Sequence, residues 1–151
     1  MKPNNLIEHT EGGRFQEVFR SVERITRADG VGRSALTHIY FSLNKGEVSR
    51  FHKVQADEVW NLYQGTGLYL YIWDGSESVV EKIELSAASG AFCYVVPAGY
   101  WQAAQPMGKK VLVGCSVGPG FEFEDFELID PASAIAEGLQ AKDPSMTKFI
   151  V

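Results

Sequence analysis

The chain reads as an all-β barrel or sandwich with one short C-terminal helix. Three observations predict this. Runs of about five to eight residues rich in β-branched and aromatic side chains recur along it, turn signals separate them, and helical patterning is confined to one stretch near the end. At 151 residues the chain fits one domain, residues 1–151, with one sizeable core.

The elements follow in order. The Gly12-Gly13 pair is a turn signal, because positive φ costs glycine little. RFQEVFRS after it alternates as a strand does, with Phe15, Glu17 and Phe19 on one side and Gln16, Val18 and Arg20 on the other. RADGVGRS is a loop in which Asp29-Gly30 forms a hairpin-type turn. SALTHIYFSL, SRFHKV, EVWNLYQG, GLYLYIWDG, SVVEKIEL, AFCYVVP and KVLVGCSV are the next strands. The GPGFEFEDF phrase is a turn and an aromatic edge strand, whose Phe121 and Asp125 would rim a pocket mouth. A short capped helix is expected over Asp130–Gly138, with Asp130 as N-cap, Pro131 in the first turn and Gly138 near the end. The tail DPSMTKFIV is expected to be loosely ordered or docked on a partner.

Bulk properties exclude several classes. The net charge of −5, with acids and bases interspersed, gives no basic surface for nucleic acid. Apolar runs are far shorter than the ~20 residues that cross a bilayer. MKPNNLIEHTEGG lacks the apolar centre of a secretory leader, so a soluble cytoplasmic protein is expected. Cys93 and Cys115 sit in apolar strands and are expected as buried free thiols, with a disulfide only if those strands are neighbours. A phosphate-cradling glycine loop, His-Glu-x-x-His and Gly-x-Ser-x-Gly are all missing.

The informative stretch is GEVSRFHKVQADEVWNLYQG, Gly46 to Gly65. Alternate residues of a strand face one side, so His52 points with Val54, and Glu58 with Trp60 and Leu62. A turn at Gln55-Ala56-Asp57 would fold one run onto the other and bring His52 close to Glu58. The turn Pro97-Ala98-Gly99 would set Gln102 across the same barrel mouth. An imidazole beside a carboxylate is an acid/base pair with a raised His pKa and one fixed tautomer. The bland alternative is a polar pair that only closes the barrel. One imidazole, one carboxylate and one amide (His52, Glu58, Gln102) form a poor set for a divalent metal, so no cofactor is expected. Most of the strand aromatics must be core. Trp60, Tyr69, Tyr71 and Phe121 are the candidates for a pocket wall, with Ser49 and Gln102 to hold hydroxyls and Arg50 to meet an anion.

These motifs resemble the two paired signatures of the cupin superfamily. Gly46, His52, Glu58 and Gly65 match the first in register, and Val54 stands in the place of its second histidine. Pro97-Ala98-Gly99 matches the second, with Gly90 one residue further upstream than usual and Gln102 in place of the third histidine. The phrases His9–Phe15, Ser42-Leu43, Gly46–Lys53, Asp57–Trp60, Val96–Ala104 and Leu112–Phe126 are similar to one cupin group, DUF985. Thr10 departs from it, where that group carries a proline, and the group's leading helix is largely missing.

The resemblance implies a double-stranded β-helix, that is a cupin or jelly-roll barrel, in a homodimer, with a cavity lacking the full metal triad. It implies a small-molecule ligand, carbohydrate-like in type, because related barrels epimerise nucleotide-linked keto sugars. A metal-independent isomerase or epimerase is the first expectation, with His52 as base and Glu58 as its orienter. The alternatives are a non-catalytic binding protein for a small polar metabolite, and a metal-dependent oxygenase or decarboxylase holding its ion through His52, Glu58 and Gln102.

Overall fold

The computed structural model of the protein describes residues 5–76 and 78–151. Its strands are β1 (Ile7–Glu8), β2 (Arg14–Arg20), β3 (Arg24–Thr26), β4 (Gly32–Ser34), β5 (Thr37–Asn44), β6 (Ser49–Val54), β7 (Asp57–Gly65), β8 (Gly67–Trp73), β9 (Glu81–Ser86), β10 (Cys93–Val96), β11 (Trp101–Pro106), β12 (Lys110–Gly118) and β13 (Phe126–Leu128). They form a six-stranded sheet in the order β1-β2-β5-β12-β7-β10, a five-stranded sheet in the order β13-β6-β11-β8-β9, and the hairpin β3-β4. The expected runs from RFQEVFRS to KVLVGCSV form strands, but the aromatic edge strand expected in GPGFEFEDF does not: Phe123–Asp125 is a 3₁₀ turn, and the edge strand β13 begins at Phe126. β11 is an addition: its sequence WQAAQP has little β propensity and is held by register on both sides, against β6 and β8.

The two sheets face each other and enclose Phe41, Leu43, Trp60, Leu68, Leu70, Leu85, Val111 and Val113. The five-stranded sheet buries its other face as well. Phe51, Tyr71, Trp73, Trp101 and Ala103 pack there under α1 (Ala134–Lys142) and the 3₁₀ turns of Pro144–Phe149. The tail is therefore docked on its own barrel, with Phe149 and Ile150 fully buried. Alternation along DPSMTKFIV gives no hint of this, because its apolar residues follow a 3₁₀ spacing.

Two local expectations change. The N-cap of α1 is Ser133, whose hydroxyl accepts the Ala136 amide, and Asp130 caps the turn before it through the Ala132 amide. The helix then continues past Gly138 to Lys142. In β2 a register shift between Glu17 and Phe19 breaks the alternation, so Phe15, Glu17 and Arg20 share one side and Phe19 is half exposed. Cys115 is buried as expected, but Cys93 is exposed on β10, an edge strand. β7 lies between β10 and β12, so the two thiols are not on neighbouring strands, and both are free.

Candidate functional site

β6 and β7 belong to different sheets, so the chain crosses the barrel at Gln55-Ala56 instead of folding back as a hairpin. His52 lies beside Gln102 in the β6–β11 register, and Glu58 comes from the opposite sheet. Gln102 bridges the two walls: its Nε2 donates to Glu58 Oε1 at 2.9 Å. Its Oε1 accepts the Trp60 indole N–H at 2.6 Å, which fixes the orientation of the amide. The imidazole, the carboxyl and the amide thus meet inside one barrel.

The expected partnership is different, however. The carboxylate bonded to His52 is Glu11, with Oε2 2.9 Å from Nε2. The other ring nitrogen, Nδ1, lies 2.7 Å from the Arg50 carbonyl. Both nitrogens face acceptors, so His52 is a doubly protonated imidazolium paired with Glu11. Burial opposes its charge, and the Glu11 charge and hydrogen bond outweigh burial and hold its pKa above the ordinary value. Glu11 is likewise opposed by burial and is held below its ordinary value by His52.

The turn before β2 delivers Glu11. Arg50 clamps it, with its amide donating to the Glu11 carbonyl at 2.8 Å and its guanidinium donating to the Thr10 carbonyl. Gly12 has φ 112°, and a Cβ there would fall 2.2 Å from the Val48 carbonyl oxygen. His9 sits in the same turn, and its Nδ1 accepts the Glu11 amide at 3.2 Å, which places the ring proton on Nε2. Burial lowers the His9 pKa and keeps that ring neutral.

A cavity of about 200 Å³ opens above these groups. Its polar lining is His9, Glu11, Thr37, His52, Glu58 and Cys115, with Glu17, Arg20 and Glu122 completing it, and its apolar walls are Phe15, Ile39, Phe41, Val54, Val117, Phe121, Phe123 and Phe126. Glu58 is the distinctive group. Burial drives its pKa up to about 7 against the opposing charge of His52. Cys115 lies against it with a thiol pKa pushed well up by burial, so that sulfur stays protonated at neutral pH.

The remaining sequence candidates divide between the cavity and other places. Phe121 lines the cavity as expected. Asp125 does not, being buried in ion pairs to Arg33 at 2.8 Å and Arg27 at 3.0 Å. Trp60 is core and is not in the cavity lining; it supports the site by its hydrogen bond to Gln102 and by packing edge-on to Phe41. Ser49 is buried and is not in the cavity lining. Arg50 borders a separate groove with Glu47 and Val48. Tyr69 and Tyr71 fall on the opposite face of β8 from Leu68, Leu70 and Ile72, and Tyr71 packs on Phe149 at 4.6 Å. Sequence alone did not point to Glu11, His9 or the lining phenylalanines other than Phe121. The available signal was a histidine and a glutamate held in a Gly-Gly turn.

The chain matches the family Cupin_5, Cupin superfamily (DUF985), over residues 1–129. It belongs to that cupin family. This cupin is 30% identical to protein YML079W of Saccharomyces cerevisiae over 137 residues, 80% of this chain and 68% of that one. Protein SO0799 from Shewanella oneidensis superposes with a TM-score of 0.78 at 32% identity, over 97% of this chain and 91% of that one. A hypothetical protein from Leishmania major superposes with a TM-score of 0.80 at 27% identity, over 96% and 90% of the two chains.

The usual cupin metal is a poor match for these residues. Val54 offers no donor, the Gln102 oxygen is taken by an indole N–H, and both His52 nitrogens carry hydrogen bonds. Among the described residues no group of three or more His, Cys, Asp or Glu side chains is disposed to hold an ion.

Proposed function

We propose that this cupin binds a small carbonyl compound in the barrel cavity and moves a proton on it without a metal, as an isomerase or epimerase does. The observation that carries the reading is Glu58, a carboxyl buried in a cavity wall with a pKa of about 7. A general base acts best when its pKa lies near the working pH. Glu58 would take the proton from the carbon next to the carbonyl; the C–H electrons form the enolate, and Glu58 returns the proton to the same face, or to the other face once the enolate has turned in the cavity. The role first expected of His52 passes to Glu58, because both nitrogens of the imidazolium are engaged. His52 instead supplies a fixed positive charge near the developing enolate, an electrostatic contribution to a buried site. The Nε2–H of His9 is the proton donor available to the carbonyl oxygen.

The test is exchange of carbon-bound hydrogen. Small ketones and ketoses incubated with the protein in D2O should gain deuterium next to the carbonyl, and Glu58→Gln should stop this while ligand binding persists. A second reading, a binding protein without turnover, is favoured by the complete internal pairing of His52 and Gln102. Binding by the native protein with no deuterium uptake would select it.

A further inference from the structure

We infer that the ligand of this cavity is an uncharged carbonyl compound with a compact aromatic or branched apolar body, and not a sugar phosphate, a nucleotide-linked sugar or a keto acid. The inference rests on the proposed proton transfer for its carbonyl and on the cavity's own composition for the rest. Phe121, Phe123 and Phe126 form one wall, with ring centroids 5.0 to 6.2 Å apart. The His9 ring closes the box, 4.8 Å from Phe15, 6.1 Å from Phe41 and 5.7 Å from Phe126. Such walls accept a flat or branched apolar group by area burial and edge-to-face contact. The phenylalanine faces offer nothing to a ring of hydroxyls, and of the lining carboxyls Glu11, Glu17 and Glu122 are already bonded to His52 or Arg20.

Charge points the same way. The lining holds the carboxyl groups of Glu11, Glu17, Glu58 and Glu122, and the cations Arg20 and His52. Both cations are spent within the protein. Arg20 bonds Glu17 at 2.7 Å, Glu122 at 3.0 Å and the Phe121 carbonyl at 3.0 Å. His52 bonds Glu11 at 2.9 Å. An anionic ligand would meet surplus carboxylates and no unengaged cation, a like-charge arrangement in a low-dielectric site. A neutral carbonyl oxygen needs only a hydrogen-bond donor, which the His9 ring provides.

The experiment compares four probes by isothermal titration and by proton NMR in D2O: phenylacetone, phenylpyruvate, fructose and fructose 6-phosphate. Phenylacetone is expected to bind at least tenfold more tightly than the other three, and Phe121→Ala to weaken it by about tenfold, consistent with loss of one ring of the aromatic wall. Deuterium uptake next to its carbonyl, abolished in Glu58→Gln, supports both the ligand class and the proton transfer. Tight phenylacetone binding without uptake keeps the ligand class and removes the enzyme reading. Tighter binding of phenylpyruvate or of either sugar overturns the ligand class, and uptake by that probe leaves the enzyme reading standing. Failure of all four to bind overturns the ligand class too.

Discussion

Glu11 shows how one side chain sets the state of another. It is the only carboxylate hydrogen-bonded to His52 among the described residues, and it is itself buried. Removing one member of a buried pair strands the other, so Glu11→Ala should cost about 3–5 kcal/mol in urea unfolding. Glu11→Gln should cost less, because its amide can still pair with a neutral ring. In both variants the His52 pKa should fall, since burial then acts with little opposition, and NMR titration of the ring would report it. The sequence made His52, Glu58 and Gln102 visible because their spacing follows strand alternation and turn chemistry. It hid Glu11, because a contact between a turn near the N-terminus and β6 leaves no periodic trace in the chain.

At the scale of the element, the segment from Phe121 to β13 is a wall built in one place and anchored in another. Its aromatic residues face the cavity, while Asp125 reaches back to Arg33 and Arg27 on either side of the β3–β4 turn region. The Phe121 amide adds a hydrogen bond to Thr37 Oγ1 at 2.9 Å. Asp125→Asn should therefore raise amide hydrogen exchange across residues 121–126 and leave β8 and β12 protected; a uniform rise through the barrel would contradict this placement. The C-terminal layer makes a different prediction. Phe149 is fully buried against Phe51 and Tyr71, so Phe149→Ala should destabilise the whole protein by about 3–5 kcal/mol in chemical denaturation. Strand existence was legible because period-2 patterning marks it. Sidedness was legible only where alternation is unbroken: the register shift in β2 turned Arg20 inward and Phe19 out. Tyr69 and Tyr71 were misplaced because β8 is apolar on both faces, one for each layer it supports.

Over the whole molecule the buried ionisable groups give stability a pH dependence. Glu58 keeps its proton more tightly when folded, at about 7 against an ordinary 4.5. Its contribution is fully present below about 4.5 and is lost as pH rises through about 7, an effect of roughly 3 kcal/mol at 1.36 kcal/mol per unit. The raised pKa of His52 acts with the same sign, present below the ordinary 6.5 and lost as pH rises through the folded value. Glu11, held low, contributes above the ordinary 4.5 and loses its contribution as pH falls through the folded value. Glu58 should thus bring a decline in unfolding free energy between about pH 4.5 and pH 7. His9 and His38 oppose it, since their lowered pKa values favour the fold as pH rises toward the ordinary 6.5. Glu58→Gln should remove the declining part that Glu58 brings. The fold itself was legible from rhythm and motif, because each strand declares itself locally. The protonation states were not, since they arise from burial that only the closed barrel creates. All of the proposed chemistry depends on the Glu58 carboxyl, whose titration can be followed directly by side-chain carbon-13 NMR. The account predicts a midpoint of about 7 that disappears in Glu58→Gln; a midpoint near 4.5 would contradict it.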